Sequence, residues 1–139
     1  MTEALSIKPT DTVLELGTGS GFQTAILAYL SHHVYTAERI VPLSNNAQDV
    51  LNKLNIHNVT FHTGDGLKAF KDKHFDKIIV TAAAETLPNV LTELLKEGGI
   101  MVIPVGKIIH DLLRIENIHG TLKKTVLCQC RFVPLIRDE

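Results

Sequence analysis

The stretch Thr12-Val13-Leu14-Glu15-Leu16-Gly17-Thr18-Gly19-Ser20-Gly21 constrains this chain more than any other. A short β-branched and apolar run stops at three glycines spaced two apart, and an Ala- and Leu-rich segment over residues 23–30 follows. That pattern reads as a buried parallel strand, a tight turn and a helix. Such a turn lets backbone N–H groups approach a ligand with no Cβ in the way.

The same alternation continues. A second strand over residues 33–37 ends at Glu38, and a helix over residues 41–54 opens at Pro42. A third strand, Val59-Thr60-Phe61-His62-Thr63, ends at Gly64-Asp65-Gly66. A short helical piece leads to a fourth strand over 75–81, whose centre is apolar on both faces. A helix from Pro88 to Leu95 is expected to be capped by Gly98-Gly99, before a fifth strand over 100–103 that stops at Pro104. Strands alternating with helices predict a doubly wound, Rossmann-like α/β fold with a parallel sheet covered on both faces. The tail differs: strands over 112–118 and 125–133, turning at His119-Gly120, predict a terminal antiparallel β-hairpin. With 139 residues and no linker, repeat or low-complexity segment, the expectation is one domain over 1–139.

Ligands of such sheets sit at the carboxyl ends of the strands. Gly17, Gly19 and Gly21 follow the first strand, Glu38 the second, and Asp65 with Gly66 the third. Glu38 lies 17 residues past Gly21, near the spacing at which a carboxylate meets ribose hydroxyls. Asp65 can accept from the exocyclic amine of an adenine, with backbone groups near Gly66 addressing the ring. A dinucleotide fingerprint would need a third glycine where Phe22 stands. The acidic Glu15 beside the loop suits a cationic amino group instead of a pyrophosphate. The ligand these features predict is S-adenosyl-L-methionine, held by Glu15, Gly17, Thr18, Gly19, Ser20, Gly21, Glu38, Arg39, Asp65 and Gly66. A turn made for folding alone is the competing reading of the glycines.

Composition narrows the partners. The formal net charge of −1 supplies no electrostatic case for nucleic acid or an anionic membrane. No apolar run approaches the roughly 20 residues of a membrane span, and Met1-Thr2-Glu3-Ala4-Leu5 is unlike a secretory signal, so a cytoplasmic location is expected. Cys128 and Cys130 share a strand face and read as reduced thiols filling it; no metal site is expected.

Several stretches together resemble the protein-L-isoaspartate O-methyltransferases. They are residues 13–25, Val34-Tyr35-Thr36-Ala37-Glu38-Arg39, Gly64-Asp65-Gly66, residues 76–84 ending in Thr81-Ala82-Ala83-Ala84, Ile103-Pro104-Val105-Gly106 and Arg131-Phe132-Val133-Pro134-Leu135. The resemblance covers nearly the whole chain, and the last three pieces are its most particular. It implies methyl transfer to the free α-carboxylate of L-isoaspartyl residues in damaged proteins. A carboxylate is ionised at neutral pH and needs no general base, so alignment and desolvation would carry catalysis. The small residues Ala82, Ala83, Pro104 and Val105, after the fourth and fifth strands, would leave room for a substrate peptide; plain packing is the alternative.

The sequence departs from the family at its start. Members carry an earlier segment with a Thr-Ile-Ser-like motif that helps bind substrate and enclose the donor. The resemblance therefore leaves the catalytic residue unassigned, and apolar surface bared by that departure predicts self-association. Asp111 also stands about where the family often has Gln. Two other readings remain: a methyltransferase for another substrate, and a donor-binding remnant without turnover. Amino-directed nucleic-acid enzymes show Asp/Asn-Pro-Pro-aromatic after strand four, and Thr81-Ala82-Ala83-Ala84 differs from it.

Overall fold

The structure, a computed structural model, describes residues 1–135. A one-turn helix α1 (Thr2–Leu5) precedes β1 (Thr12–Leu16), α2 (Phe22–Leu30), β2 (His33–Glu38), α3 (Val41–Lys53) and β3 (Val59–Thr63). Then come α4 (Gly66–Ala69), β4 (Phe75–Val80), α5 (Asn89–Glu93), β5 (Leu95–Val105), β6 (His110–Ile118) and β7 (Thr121–Cys130). The strands form one sheet in the order β3-β2-β1-β4-β5-β6-β7. The first five run parallel, joined by crossovers, and β6 and β7 are antiparallel additions. The strand order reverses between β1 and β4, which opens a crevice at their carboxyl ends.

Two apolar layers follow from the period-two alternation of the central strands. Leu14 and Leu16 of β1, Ile78 and Val80 of β4 and Met101 and Ile103 of β5 face one side, with Leu67 and Leu91 from the helices. Val13, Ile79 and Val102 face the other, under Leu5, Leu27 and Ala28. Each such side chain contributes about 1.5–3 kcal/mol when fully buried. α1 was not foreseen from the sequence; it is four residues long, and its anchor on that second layer is Leu5, fully buried. No described helix is long and apolar enough to cross a membrane.

Around α5 and β5 the structure differs from the sequence reading at three points, each for a tertiary reason. The helix expected to run to Leu95 ends at Glu93, because Leu94 accepts from the Phe75 N–H at 2.8 Å and Leu95 pairs with Phe75. Gly98-Gly99 is therefore no helix cap; it lies in the irregular opening of β5, where the register shifts between Phe75 and Lys77. Pro104 does not stop β5, which runs on to Val105. The Pro104 carbonyl points at the Ala84 N–H, so its ring nitrogen lies on that same side, beyond the end of β4, where no ladder bond is lost.

In the hairpin, His119 (φ 50°) and Gly120 (φ 83°) make the expected turn, and β7 starts four residues earlier than read, at Thr121. β7 is an edge strand with most of its side chains exposed. Cys128 is accordingly exposed and only Cys130 half-buried, so the two thiols do not fill a covered face.

Candidate functional site

The crevice between β1 and β4 is a cavity of about 470 Å³ with largely apolar walls, within the size range of small-molecule sites. Leu16, Gly17 and Gly19 come from β1 and its loop, Ala37 to Ile40 from the end of β2, and Leu43 from the start of α3. Gly64 and Gly66 follow β3, Thr81 and Ala82 follow β4, and Val133-Pro134-Leu135 closes the far side.

The loop is anchored on β2. Gly17 and Thr18 both donate to the Ala37 carbonyl, at 2.9 and 3.3 Å, and Gly21 donates back to Thr18 at 3.0 Å. Glu38 organises the rest: its Oε1 accepts from the Gly19 N–H at 2.8 Å and its Oε2 from the Ile40 N–H at 2.9 Å. The carboxylate is thereby fixed in orientation, and each oxygen keeps a second acceptor position. Gly17 and Gly19 are glycines for different reasons. At Gly17 (φ +98°) a Cβ would fall 2.2 Å from Thr81 Oγ1, whereas at Gly19 (φ +54°) it would meet nothing within 4 Å. Gly19 thus fronts open space, the place for a close-lying ligand.

Of the ten residues read as donor-binding, Gly17, Gly19, Glu38, Arg39 and Gly66 line this cavity. Asp65 lies beside it, in a shallower recess of about 310 Å³ shared with Arg39, Val41, Thr63 and Gly64. Its Oδ1 caps α4 by accepting from the Leu67 N–H at 2.9 Å. Ser20 is exposed and accepts from the Phe22 N–H at 3.3 Å, while Gly21 packs against Ala47 of α3.

Glu15 and Thr18 sit beneath the loop instead of in the cavity wall. Strand alternation turns Leu16 to the cavity and Glu15 to the other face, under α2. Glu15 Oε1 accepts from the hydroxyls of Thr24 and, at 2.7 Å, Thr36. Because the Thr36 proton goes to Glu15, Thr18 is the donor in the 2.6 Å contact between the two threonines. Glu15 Oε2 is buried with no hydrogen-bond partner among the described residues. Burial foremost, with a smaller push from Glu38, raises the Glu15 carboxyl to about 7 against the pull of the two hydroxyls. A direct contact between Glu15 and a ligand in this cavity is not what the geometry provides.

On the opposite side, Ala82 alone of Ala82, Ala83, Pro104 and Val105 lines the cavity. Ala83 donates to the Val133 carbonyl at 2.8 Å and accepts from the Leu135 N–H at 2.8 Å. Ala84 donates to Pro104 at 3.0 Å and accepts from Gly106 at 2.9 Å. The alanines are small because two segments of this chain close over them on either edge. Sequence reasoning missed Thr81, Ile40, Leu43 and Val133-Pro134-Leu135 as cavity residues. The apolar pair Ile40-Val41, just past Glu38-Arg39 and before Pro42, was the available signal, and the structure leaves both side chains exposed at the start of α3.

The family model for protein-L-isoaspartate(D-aspartate) O-methyltransferase (PCMT) matches residues 1–139. The chain belongs to that family. A protein-L-isoaspartate O-methyltransferase of Aliivibrio fischeri is 49% identical over 140 residues, which take in 100% of this chain and 67% of the relative. The chain thus spans about two thirds of the length of this isoaspartate methyltransferase relative. A crystal structure of a putative protein-L-isoaspartate O-methyltransferase from Plasmodium falciparum, in complex with S-adenosyl-L-homocysteine, superposes with a TM-score of 0.84 at 27% identity. It covers 98% of this chain and 69% of that one. A precorrin-6y C5,15-methyltransferase from Geobacter metallireducens shares the fold over 74% of the chain, with a TM-score of 0.66.

Proposed function

We propose that this chain binds S-adenosyl-L-methionine in the β1–β4 cavity and transfers its methyl group to the α-carboxylate of L-isoaspartyl residues in proteins. The observation that carries the reading is the family match over all 139 residues, with the cavity lying where the strand order reverses.

The residues present fit the donor. Glu38, held by two backbone N–H groups, offers its remaining lone pairs to the vicinal hydroxyls of the ribose. Ile40 and Leu43 supply apolar walls for a flat adenine, and the Asp65 recess beside Gly64 is polar enough for its edge. Gly19 opens the space in which the methionine portion lies. Glu15 acts from beneath, holding α2 and β2 to the loop through Thr24, Thr36 and Thr18.

The bound donor supplies an electrophilic methyl group on a sulfonium. An ionised carboxylate attacks in line and no proton moves, so this chain's work is to align the two groups and exclude water. Thr81 and Ala82, at the end of β4, and the Val133-Pro134-Leu135 segment form the wall on the acceptor side. The methyl ester formed would close to a succinimide when the adjacent backbone nitrogen attacks the ester carbonyl and methanol leaves, and water would reopen the ring to aspartate or back to isoaspartate.

The test has two parts. Calorimetric titration with S-adenosyl-L-homocysteine should show one site per chain; no heat at any concentration would remove the donor reading. Methyl transfer should then favour an isoaspartyl peptide over its aspartyl twin, and equal labelling of both would point to another acceptor. Binding without labelling of either peptide would leave a donor-binding domain.

Self-association belongs to the same proposal. Phe22 is 73% exposed and Tyr29 90% on α2, with Val50 and Leu54 also in water on α3 and at its C-cap. A mass by light scattering that stays monomeric as concentration rises would contradict it.

A further inference from the structure

Thr81 directly follows β4, at the reversal of strand order, and is one of the residues that line the cavity. Its hydroxyl lies 3.0 Å from the carbonyl oxygen of Leu16 and 3.0 Å from that of Gly17. Its own N–H donates to the Leu16 carbonyl as well, at 3.0 Å. One hydroxyl proton is thus shared between the last carbonyl of β1 and the first of the loop, 65 and 64 residues away in the chain.

Two consequences follow. A glycine at φ +98° has no side chain to set its torsions, so the start of the loop needs a tether from outside itself. The Ala37 carbonyl holds the Gly17 N–H from one side and Thr81 holds the Gly17 carbonyl from the other, occupying the space in which Gly17 would otherwise carry a Cβ. The hydroxyl proton is also committed to the loop, so Thr81 does not donate to an acceptor carboxylate.

We propose that Thr81 is a positioning residue: by gripping the Leu16 and Gly17 carbonyls it sets the depth and angle at which the methyl donor seats against the end of β4. The inference rests on the reading of this cavity as the S-adenosyl-L-methionine site. It adds that the first glycine of the loop and the residue after the fourth strand act as one unit.

The variants are Thr81→Val, which keeps the shape and removes the donor, and Thr81→Ser, which keeps the donor. Three quantities are measured on the full chain: Kd for S-adenosyl-L-homocysteine, melting temperature, and amide hydrogen exchange at Gly17 and Thr18 without ligand. Loss of one hydrogen bond to the loop should raise Kd about tenfold in Thr81→Val. Exchange at the two loop amides should quicken while that of the β4 and β5 amides does not. Thr81→Ser should restore both. Where turnover is measured, KM for the donor should rise in step with Kd.

Equal Kd and equal loop exchange in wild type and Thr81→Val would overturn the inference and leave the cavity reading intact. Proportional loss of Kd, melting temperature and exchange protection throughout the sheet, without rescue by serine, would show a merely structural role and overturn it too. A wild-type chain that does not bind S-adenosyl-L-homocysteine would fail the donor reading, and this inference with it.

Discussion

The two sides of the cavity are built in opposite ways. On the donor side, β1, β2 and β3 end in a loop whose N–H groups are ordered by nearby residues: Ala37 holds Gly17 and Thr18, and Glu38 holds Gly19 and Ile40. On the side proposed for the acceptor, the alanines after β4 are enclosed by segments from far along the chain, Pro104 to Gly106 on one edge and Val133 to Leu135 on the other. The donor side presents a preset arrangement of backbone and one carboxylate. The side proposed for the acceptor is a wall of segments that follow β4 and β7, tied together by backbone hydrogen bonds between residues far apart in the chain. Binding of the donor should therefore tolerate damage to the distal segments, and handling of the acceptor should not.

The largest effect tests the donor side against itself. Gly17→Ala places a methyl 2.2 Å from Thr81 Oγ1 at a strained positive φ, and it should lower donor affinity about a hundredfold or more and also lower the melting temperature. Gly19→Ala meets no protein atom within 4 Å and should cost only about 1–2 kcal/mol of stability, while still obstructing the donor. Calorimetric binding beside thermal melts separates them. If Gly19→Ala binds S-adenosyl-L-homocysteine as wild type does, the open space is not the donor's.

Next is the buried carboxyl under the loop. Glu15 is raised in the folded chain to about 7 from an ordinary 4.5, so folding favours its protonated form. Its effect on stability has a definite sign. Below about pH 4.5 the group is neutral in both states and adds no penalty; as pH climbs toward 7 the unfolded chain ionises first, and stability falls by about 3 kcal/mol before levelling off. Glu15→Gln removes this slope, so its advantage over wild type in urea midpoint should grow between pH 5 and 7.5. Parallel midpoints across that range would mean that the carboxyl is not held in this way.

How much of this was legible in the residues follows from the same contrast. The turn, Glu38 and the Gly64-Asp65-Gly66 corner each announce themselves within a few residues, because a strand end, a glycine and a carboxylate act where they stand. Glu15 is expected beside the loop facing a cationic amino group, and the alternation of β1 turns it beneath α2, with Leu16 facing the cavity. The extent of α5 and of β5 depended on Phe75 pairing with Leu95, a contact between strands that no local propensity encodes. Thr81 looked like the first letter of a small-residue motif, and its grip on Gly17 became visible only when β4 was set beside β1.

The smallest expected effect tests the acceptor wall. Leu135→Pro deletes the N–H that donates to the Ala83 carbonyl, one of the two bonds tying that segment across the cavity. Leaving a buried carbonyl unsatisfied costs about 1–3 kcal/mol, and here the loss falls on the segment's seat instead of on the sheet. KM for an isoaspartyl peptide should rise about tenfold, with Kd for S-adenosyl-L-homocysteine much less affected, because none of the bonds that hold Gly17, Gly19 or Glu38 involves residues 133–135. A variant in which donor Kd weakens as much as peptide KM would dissolve the distinction between the two sides and make the cavity a single cooperative shell.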